Sequence, residues 1–139
     1  MTDVMANVSC VSMRGRGVLI CGEPGSGKSS LALALLDRGG VLVGDDGVSL
    51  EWDGTRILAS PPPNTEGLIE IRNVGLLEVP ATSAPVSIVI NLAPDADRLP
   101  LGHGQALLIG REIPQVDLYP DTYVLAMRAE AALEIHGLP

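Results

Sequence analysis

The chain has 139 residues, 46% of them apolar but only 2% aromatic, which suits one domain around an aliphatic core. Seventeen acidic residues against nine basic ones give a net charge of −8, which excludes a general nucleic-acid or anionic-membrane surface because both need a basic face. No aliphatic run is longer than Leu31–Leu36, no basic residue precedes Arg14, and two cysteines make no disulfide framework, so a cytoplasmic protein without a membrane span is expected.

Val8–Met13 and Gly17–Cys21 are apolar runs separated by Arg14-Gly15-Arg16, the pattern of a hairpin. Ser29–Arg38 is rich in helix formers and stops at Gly39-Gly40. Val41–Val43 predicts a short buried strand ending at Gly44-Asp45-Asp46. Val48–Trp52 and Arg56–Ala59 flank Asp53-Gly54, a second hairpin turn. Pro61-Pro62-Pro63 forces an extended connector. Leu68–Glu78 is ambiguous, with Arg72-Asn73 inserted between apolar stretches. Val86–Leu92 predicts a central strand, Pro94–Gly104 a loop and Ala106–Ile109 a short strand. Asp121 is the expected N-cap of a last helix reaching His136 and closed by Gly137. The sum is an α/β or mixed α+β domain.

Gly22-Glu23-Pro24-Gly25-Ser26-Gly27-Lys28-Ser29 matches the phosphate-binding pattern G-x-x-x-x-G-K-[ST], with Ser30 following at the helix start. The glycines let backbone N–H groups turn inward around an anion at a helix N-terminus, where the dipole adds attraction. Lys28 would bridge the outer phosphates and Ser29 would hold Mg²⁺ through its hydroxyl. The alternative is a chance glycine turn. Against it, the motif lies between an apolar strand and a helix, and Lys28 is the only lysine in the chain.

Asp45-Asp46 follows the next short strand. A neighbouring parallel strand would bring one carboxylate to the metal and leave the other to accept a proton from an attacking hydroxyl. The same residues before Gly47 also make a solvated turn. No His/Cys spacing supports a zinc site. His103, in a glycine-flanked loop near Arg98, reads either as a residue reaching the site or as an exposed loop side chain. His136 reads as a helix C-terminal cap.

At this point the chain resembles the catalytic domain of the HPr kinase/phosphorylase family. The resemblance rests on Gly17-Val18-Leu19-Ile20 entering the loop, on Leu31-Ala32-Leu33 and Arg38-Gly39, and on Leu42-Val43-Gly44-Asp45-Asp46. Glu70-Ile71-Arg72-Asn73-Val74-Gly75 is similar to that family's E-[IV]-R-G-[LI]-G signature. Asp97-Arg98-Leu99 is similar to its D-R-L segment, and Gly110-Arg111-Glu112-Ile113-Pro114 to its short alphaproteobacterial form without the N-terminal domain. The likeness covers most of residues 4–133. It implies a P-loop α/β fold like that of phosphoenolpyruvate carboxykinase, with a partly antiparallel sheet, a helix after the P-loop and a C-terminal helix.

The resemblance implies ATP and Mg²⁺, with Lys28 and the Gly22–Ser30 loop on the nucleotide and Ser29, Asp45 and Glu70 on the metal. Asp46 would take the proton of a serine on an HPr-like phosphocarrier protein, and Arg98 would be the arginine at the transferred phosphoryl. Three positions depart from the family. Asn7 stands where the family has histidine, and asparagine cannot titrate near neutral pH. Asn73 replaces the signature glycine and is the next-best residue for a left-handed backbone. Tyr119–Tyr123 carries Asp121 and no arginine where the family has a basic stretch tied to phosphorolysis, so phosphorylase activity is expected to be weak or absent.

Three functions follow. The first is an ATP-dependent serine kinase acting on HPr or a nitrogen-type homologue. The second is a nucleotide-binding regulator with degenerate catalysis, favoured by Asn7. The third is a small-molecule kinase, against which stands the lack of an Arg-rich lid. Because longer family members form hexamers, a homo-oligomer stays open. A carrier would dock on a local basic patch, with Arg98 and Arg111 as its candidates.

Overall fold

A computed structural model describes residues 2–121 and 123–139. In chain order the front half is β1 (Thr2–Ala6), β2 (Ser9–Met13), β3 (Arg16–Gly22), α1 (Lys28–Asp37), β4 (Val41–Gly44), β5 (Gly47–Trp52) and β6 (Ile57–Ser60). The back half is β7 (Leu68–Ile71), β8 (Gly75–Glu78), β9 (Ala84–Leu92), β10 (Gly104–Leu108), β11 (Arg111–Leu118) and α2 (Leu125–His136). The fold is α/β, with a mixed and largely antiparallel sheet and two helices.

Hydrophobic pattern and turn chemistry explain the pairings. β2 and β3 form the expected hairpin, with Arg14 (φ 54°) and Gly15 (φ 84°) supplying the left-handed turn that matches strand twist. β5 and β6 pair antiparallel across Asp53-Gly54, where the Asp53 carboxylate accepts the Thr55 and Arg56 amides. Those hydrogen bonds, the larger cause, hold the Asp53 carboxyl below its ordinary range, helped by the Arg56 charge. β9 is the central strand. It pairs in parallel with β3 and β11 and antiparallel with β6.

Side-chain alternation sends β9 to two cores. Ile88, Ile90 and Leu92 join Val18 and Ile20 of β3 beneath α1 and α2, against Leu31, Leu35, Ala129 and Leu133. Val86 and Val89 face the other way, with Leu19, Val48, Leu50, Ile57 and Ile113. A register shift between Gly17 and Val18, opposite Val86 and Ile88, accounts for Val86 and Ile88 facing opposite cores. Contacts of β5 with β2 and β4 curl the antiparallel strands over this second core.

Several expectations are corrected. Asp121 does not cap α2: the helix starts at Leu125 after Val124, and Asp121 instead accepts a hydrogen bond from Arg128. Gly137 does end the helix, in an extended conformation. β4 is not next to the P-loop strand, because β2 lies between them; β4 and β3 still run in the same direction. β1 and β11 carry no clear strand pattern. β1 is an exposed edge paired to β5, and β11 contains Pro114. Proline is tolerated there because the parallel ladder with β9 begins only at Gln115. The ambiguous Leu68–Glu78 stretch is the β7–β8 hairpin, and Asn73 turns it at φ 69°. The left-handed conformation expected of Asn73 is the one it adopts.

Candidate phosphate-binding site

β3 delivers the chain to the loop at Gly22, and α1 leaves it at Lys28. Gly25 (φ 80°) and Gly27 (φ 105°) occupy backbone regions that side chains disfavour, so the sequence can fold back on itself without strain. Leu31 N–H is bonded to Gly27 O, so the amides ahead of it open the helix without intrahelical partners. No acidic side chain occupies the first turn of α1 to neutralise that end. The Lys28 ammonium folds over the loop, donating to the carbonyls of Gly22 (2.9 Å) and Glu23 (3.1 Å). Ser26 Oγ is buried beside them without a hydrogen-bond partner. Such a donor is costly to leave unpaired and suits an incoming anion.

The two aspartates part company. Asp45 is buried, and every oxygen of its carboxylate is engaged. Oδ1 accepts from Ser9 Oγ (2.8 Å) and Ser29 Oγ (2.7 Å), while Oδ2 accepts from the Glu70 amide (3.0 Å). One carboxylate thus ties together β2, α1 and the β7–β8 hairpin. Asp46 is exposed, at φ 63°, and its carbonyl accepts the Asn7 amide at 3.1 Å. Because Ser29 gives its hydroxyl proton to Asp45, its oxygen lone pairs are left for a cation.

Two cavities flank the loop. One, of about 250 Å³, is lined by Asn7, Lys28, Ser29, Asp46, Glu70 and Arg72. With Pro24, Gly25, Gly27 and Ser30 of the loop, the structure thus brings nine sequence-predicted residues from four separate segments to one place. The other, of about 330 Å³, lies between the loop with α1 and the segment leading into α2. Ser26, Arg72, Asp121 and Tyr123 reach it. Asp121 Oδ1 is buried there without a partner. Thr122, within the stretch expected to be basic in relatives, lies outside the described residues.

The donor set fits Mg²⁺ bound chiefly through phosphate oxygens and water. Among the described residues no three carboxylate, histidine or cysteine side chains cluster as a metal cage. Mg²⁺ in nucleotide sites usually has one or two carboxylates, so the set of Ser29 with Glu70 or Asp46 is sufficient. Asp45, with both oxygens hydrogen-bonded, also positions the Ser29 hydroxyl.

Arg98 is exposed in the loop after β9 and lines neither cavity. That loop leaves the sheet beside the P-loop, since Leu92 pairs with Gly22. His103 packs edge-to-face on His136, with ring centroids 5.4 Å apart. The candidate docking pair is not joined: Arg111 lies on Trp52, in a cavity that Arg98 does not share. Cys21, at the end of β3, has its thiol raised by burial, with the Lys28 charge opposing. Cys10 is pushed up to about 12, mainly by burial. Neither is a thiolate nucleophile at neutral pH.

Sequence reading missed Ser9 and the placement of Arg72 on both cavities. Ser9 left one signal: a hydroxyl in a largely apolar, fully buried strand must find a buried partner. An Asp45→Asn substitution replaces one acceptor oxygen by an NH₂ that faces donors. We expect it to destabilise the fold by about 1–3 kcal/mol in urea unfolding, by leaving buried groups unpaired. Weaker Mg²⁺ dependence of nucleotide binding should accompany it, because Ser29 is no longer oriented.

The model of the HPr Serine kinase C-terminal domain matches residues 2–119. HPr kinase/phosphorylase of Clostridium tetani is 42% identical over 71 residues, which are 51% of this chain and 23% of that protein. HPr kinase/phosphorylase of an Exiguobacterium species is 36% identical over 118 residues, 75% of this chain and 38% of that protein. The chain therefore spans about a quarter to two-fifths of the length of these curated relatives. The solved structure of the Hpr(Ser) kinase/phosphatase from Coxiella burnetii superposes with a TM-score of 0.84 at 26% identity, covering 96% of this chain and 90% of that one.

Proposed function

The chain belongs to the HPr serine kinase C-terminal domain family, and from that premise we propose that it is an ATP-dependent serine kinase acting on an HPr-like phosphocarrier, with little or no phosphorylase activity. The observation that carries the reading is the convergence of Lys28, Ser29, Asp46 and Glu70 on one cavity beside the loop. Amides of the loop and the Ser26 hydroxyl hold the phosphate chain, and Lys28 exchanges its carbonyl partners for phosphate oxygens. Ser29, oriented by Asp45, and Glu70 hold Mg²⁺. When bound, Mg²⁺ neutralises charge on the phosphate oxygens. The larger cavity, toward Tyr123, takes the nucleoside end.

Asp46, exposed in the cavity wall, accepts the proton of the carrier's serine as that oxygen forms its bond to the γ-phosphorus. The bond between that phosphorus and the β–γ bridging oxygen breaks, and ADP leaves with the electron pair. Arg72 reaches the phosphates from the β7–β8 hairpin. Arg98 is assigned to the transferred phosphoryl on the family pattern, from the loop that leaves β9 beside the P-loop. Asp121 holds Arg128 in an ion pair, so among the described residues this segment offers no free cation for the inorganic phosphate that phosphorolysis needs. Free thiols at Cys10 and Cys21 favour a cytoplasmic setting. Among the described residues no helix is long and apolar enough to cross a membrane.

A second reading, a nucleotide-binding regulator, draws on Asn7, which lines the cavity where an ionisable imidazole is the family pattern. Incubation with ATP, Mg²⁺ and a purified HPr-type carrier separates the two. The kinase reading expects phosphoserine on the carrier by mass spectrometry. An unmodified carrier, with nucleotide bound, favours the regulator.

A further inference from the structure

The sheet edge opposite the P-loop carries another cavity, of about 220 Å³. It forms where β5 ends at Trp52, β6 begins at Ile57, and β9 and β11 begin near Val86 and Arg111. Val86 and Leu92 lie six residues apart on β9, so the cavity is about 20 Å from the P-loop end of that strand. Its volume is below that of most drug-sized ligand pockets, which limits an occupant to a small molecule.

Arg56 and Arg111 both line it, together with Trp52, Ile57 and Val86. The Arg111 guanidinium lies 3.8 Å from the Trp52 ring centroid. Stacking holds its plane fixed and leaves its N–H edge available to an acceptor. Arg56 donates one N–H to a main-chain oxygen of Pro139, the last residue of the chain, at 2.6 Å. Among the described residues, Arg14, Arg16, Arg38 and Arg128 have side-chain carboxylate partners, whereas Arg56, Arg72, Arg98 and Arg111 have none, and of these four Arg56 and Arg111 share this cavity. Asp53, near Arg56, is committed to turn amides, and Glu112 is the one carboxylate at the cavity wall.

In a molecule of net charge −8, two arginines without side-chain carboxylate partners in one cavity make a local positive patch. Two guanidinium groups in one cavity with aromatic and aliphatic lining match an anion with a small apolar body. We propose that this cavity binds a small organic anion through a phosphate or carboxylate group held by Arg56 and Arg111, at a site separate from the P-loop.

Trp52 is the only tryptophan, so its fluorescence reports this cavity and not the P-loop. The full chain is titrated with inorganic phosphate and, separately, with citrate, at constant ionic strength. A saturable emission change with at least one of them is expected; phosphate alone assigns the phosphate class, and citrate alone the carboxylate class. Arg56→Gln and Arg111→Gln should each weaken binding about tenfold or more, the loss of one charge-assisted contact. Lys28→Ala should leave the response intact. Because Arg111→Gln also changes the fluorescence baseline, equilibrium dialysis with labelled anion measures binding independently. No saturable response to either anion overturns the proposal. So does undiminished binding in both arginine variants, or a response lost with Lys28→Ala but kept in them.

Discussion

Asp46→Asn is expected to lower phosphoryl transfer by about 10²–10⁴-fold, the usual contribution of a positioned general base, while ATP affinity stays within about twofold. The geometry separates this residue from its neighbour. Asp45 is buried and both its oxygens already accept hydrogen bonds, from Ser9, Ser29 and the Glu70 amide, so a substrate hydroxyl reaches it less readily. Asp46 is exposed in the cavity that also contains Lys28 and Ser29. Asparagine is nearly isosteric and tolerates φ near 60°, so the backbone at φ 63° is kept while the base is lost. Single-turnover transfer and calorimetric ATP binding on the same variant check it. An unchanged transfer rate would move the base elsewhere.

Lys28→Ala is expected to weaken ATP binding by about 10²-fold or more and to leave no measurable transfer. The ammonium has two carbonyl partners in the loop, at Gly22 and Glu23, and no carboxylate partner among the described residues. Exchanging those neutral acceptors for phosphate oxygens forms charge-assisted bonds worth about 1.5–3 kcal/mol each. Two such bonds span two to four decades in affinity. No other lysine exists to substitute for it. Lys28→Arg serves as a control on charge alone: a bulkier planar group in the loop should restore little, because the loop is shaped around a compact ammonium. Retained transfer in Lys28→Ala would contradict any nucleotide role for the loop.

The loop was legible in the sequence because its chemistry fixes residue types at fixed spacing, and the strand and helix on either side formed where apolar runs placed them. Hairpins at Arg14-Gly15 and Asp53-Gly54 were legible for a similar reason, since left-handed and carboxylate-bonded turns accept few residues. Asn73 was legible as a left-handed residue even without the glycine. The rest depended on distant partners. Ser9 meets Asp45 only after β2 is inserted between β3 and β4, an order that no local pattern encodes. β11 was hidden by Pro114, acceptable only because its neighbour's ladder starts one residue later. Asp121 had the right chemistry for a cap, but Arg128, one helical turn inside α2, claimed its carboxylate first. Arg98 and Arg111 were candidates for one basic patch in sequence; Arg111 lies at the start of β11, on Trp52, and Arg98 in the loop after the far end of β9.

The most direct test of the central claim is ATP binding and carrier phosphorylation measured on one preparation, in the presence of Mg²⁺. A kinase centre predicts saturable ATP binding together with phosphoserine formed at catalytic, repeated turnover, and loss of the second but not the first in Asp46→Asn. Saturable binding with no phosphorylated carrier at any nucleotide concentration would contradict it.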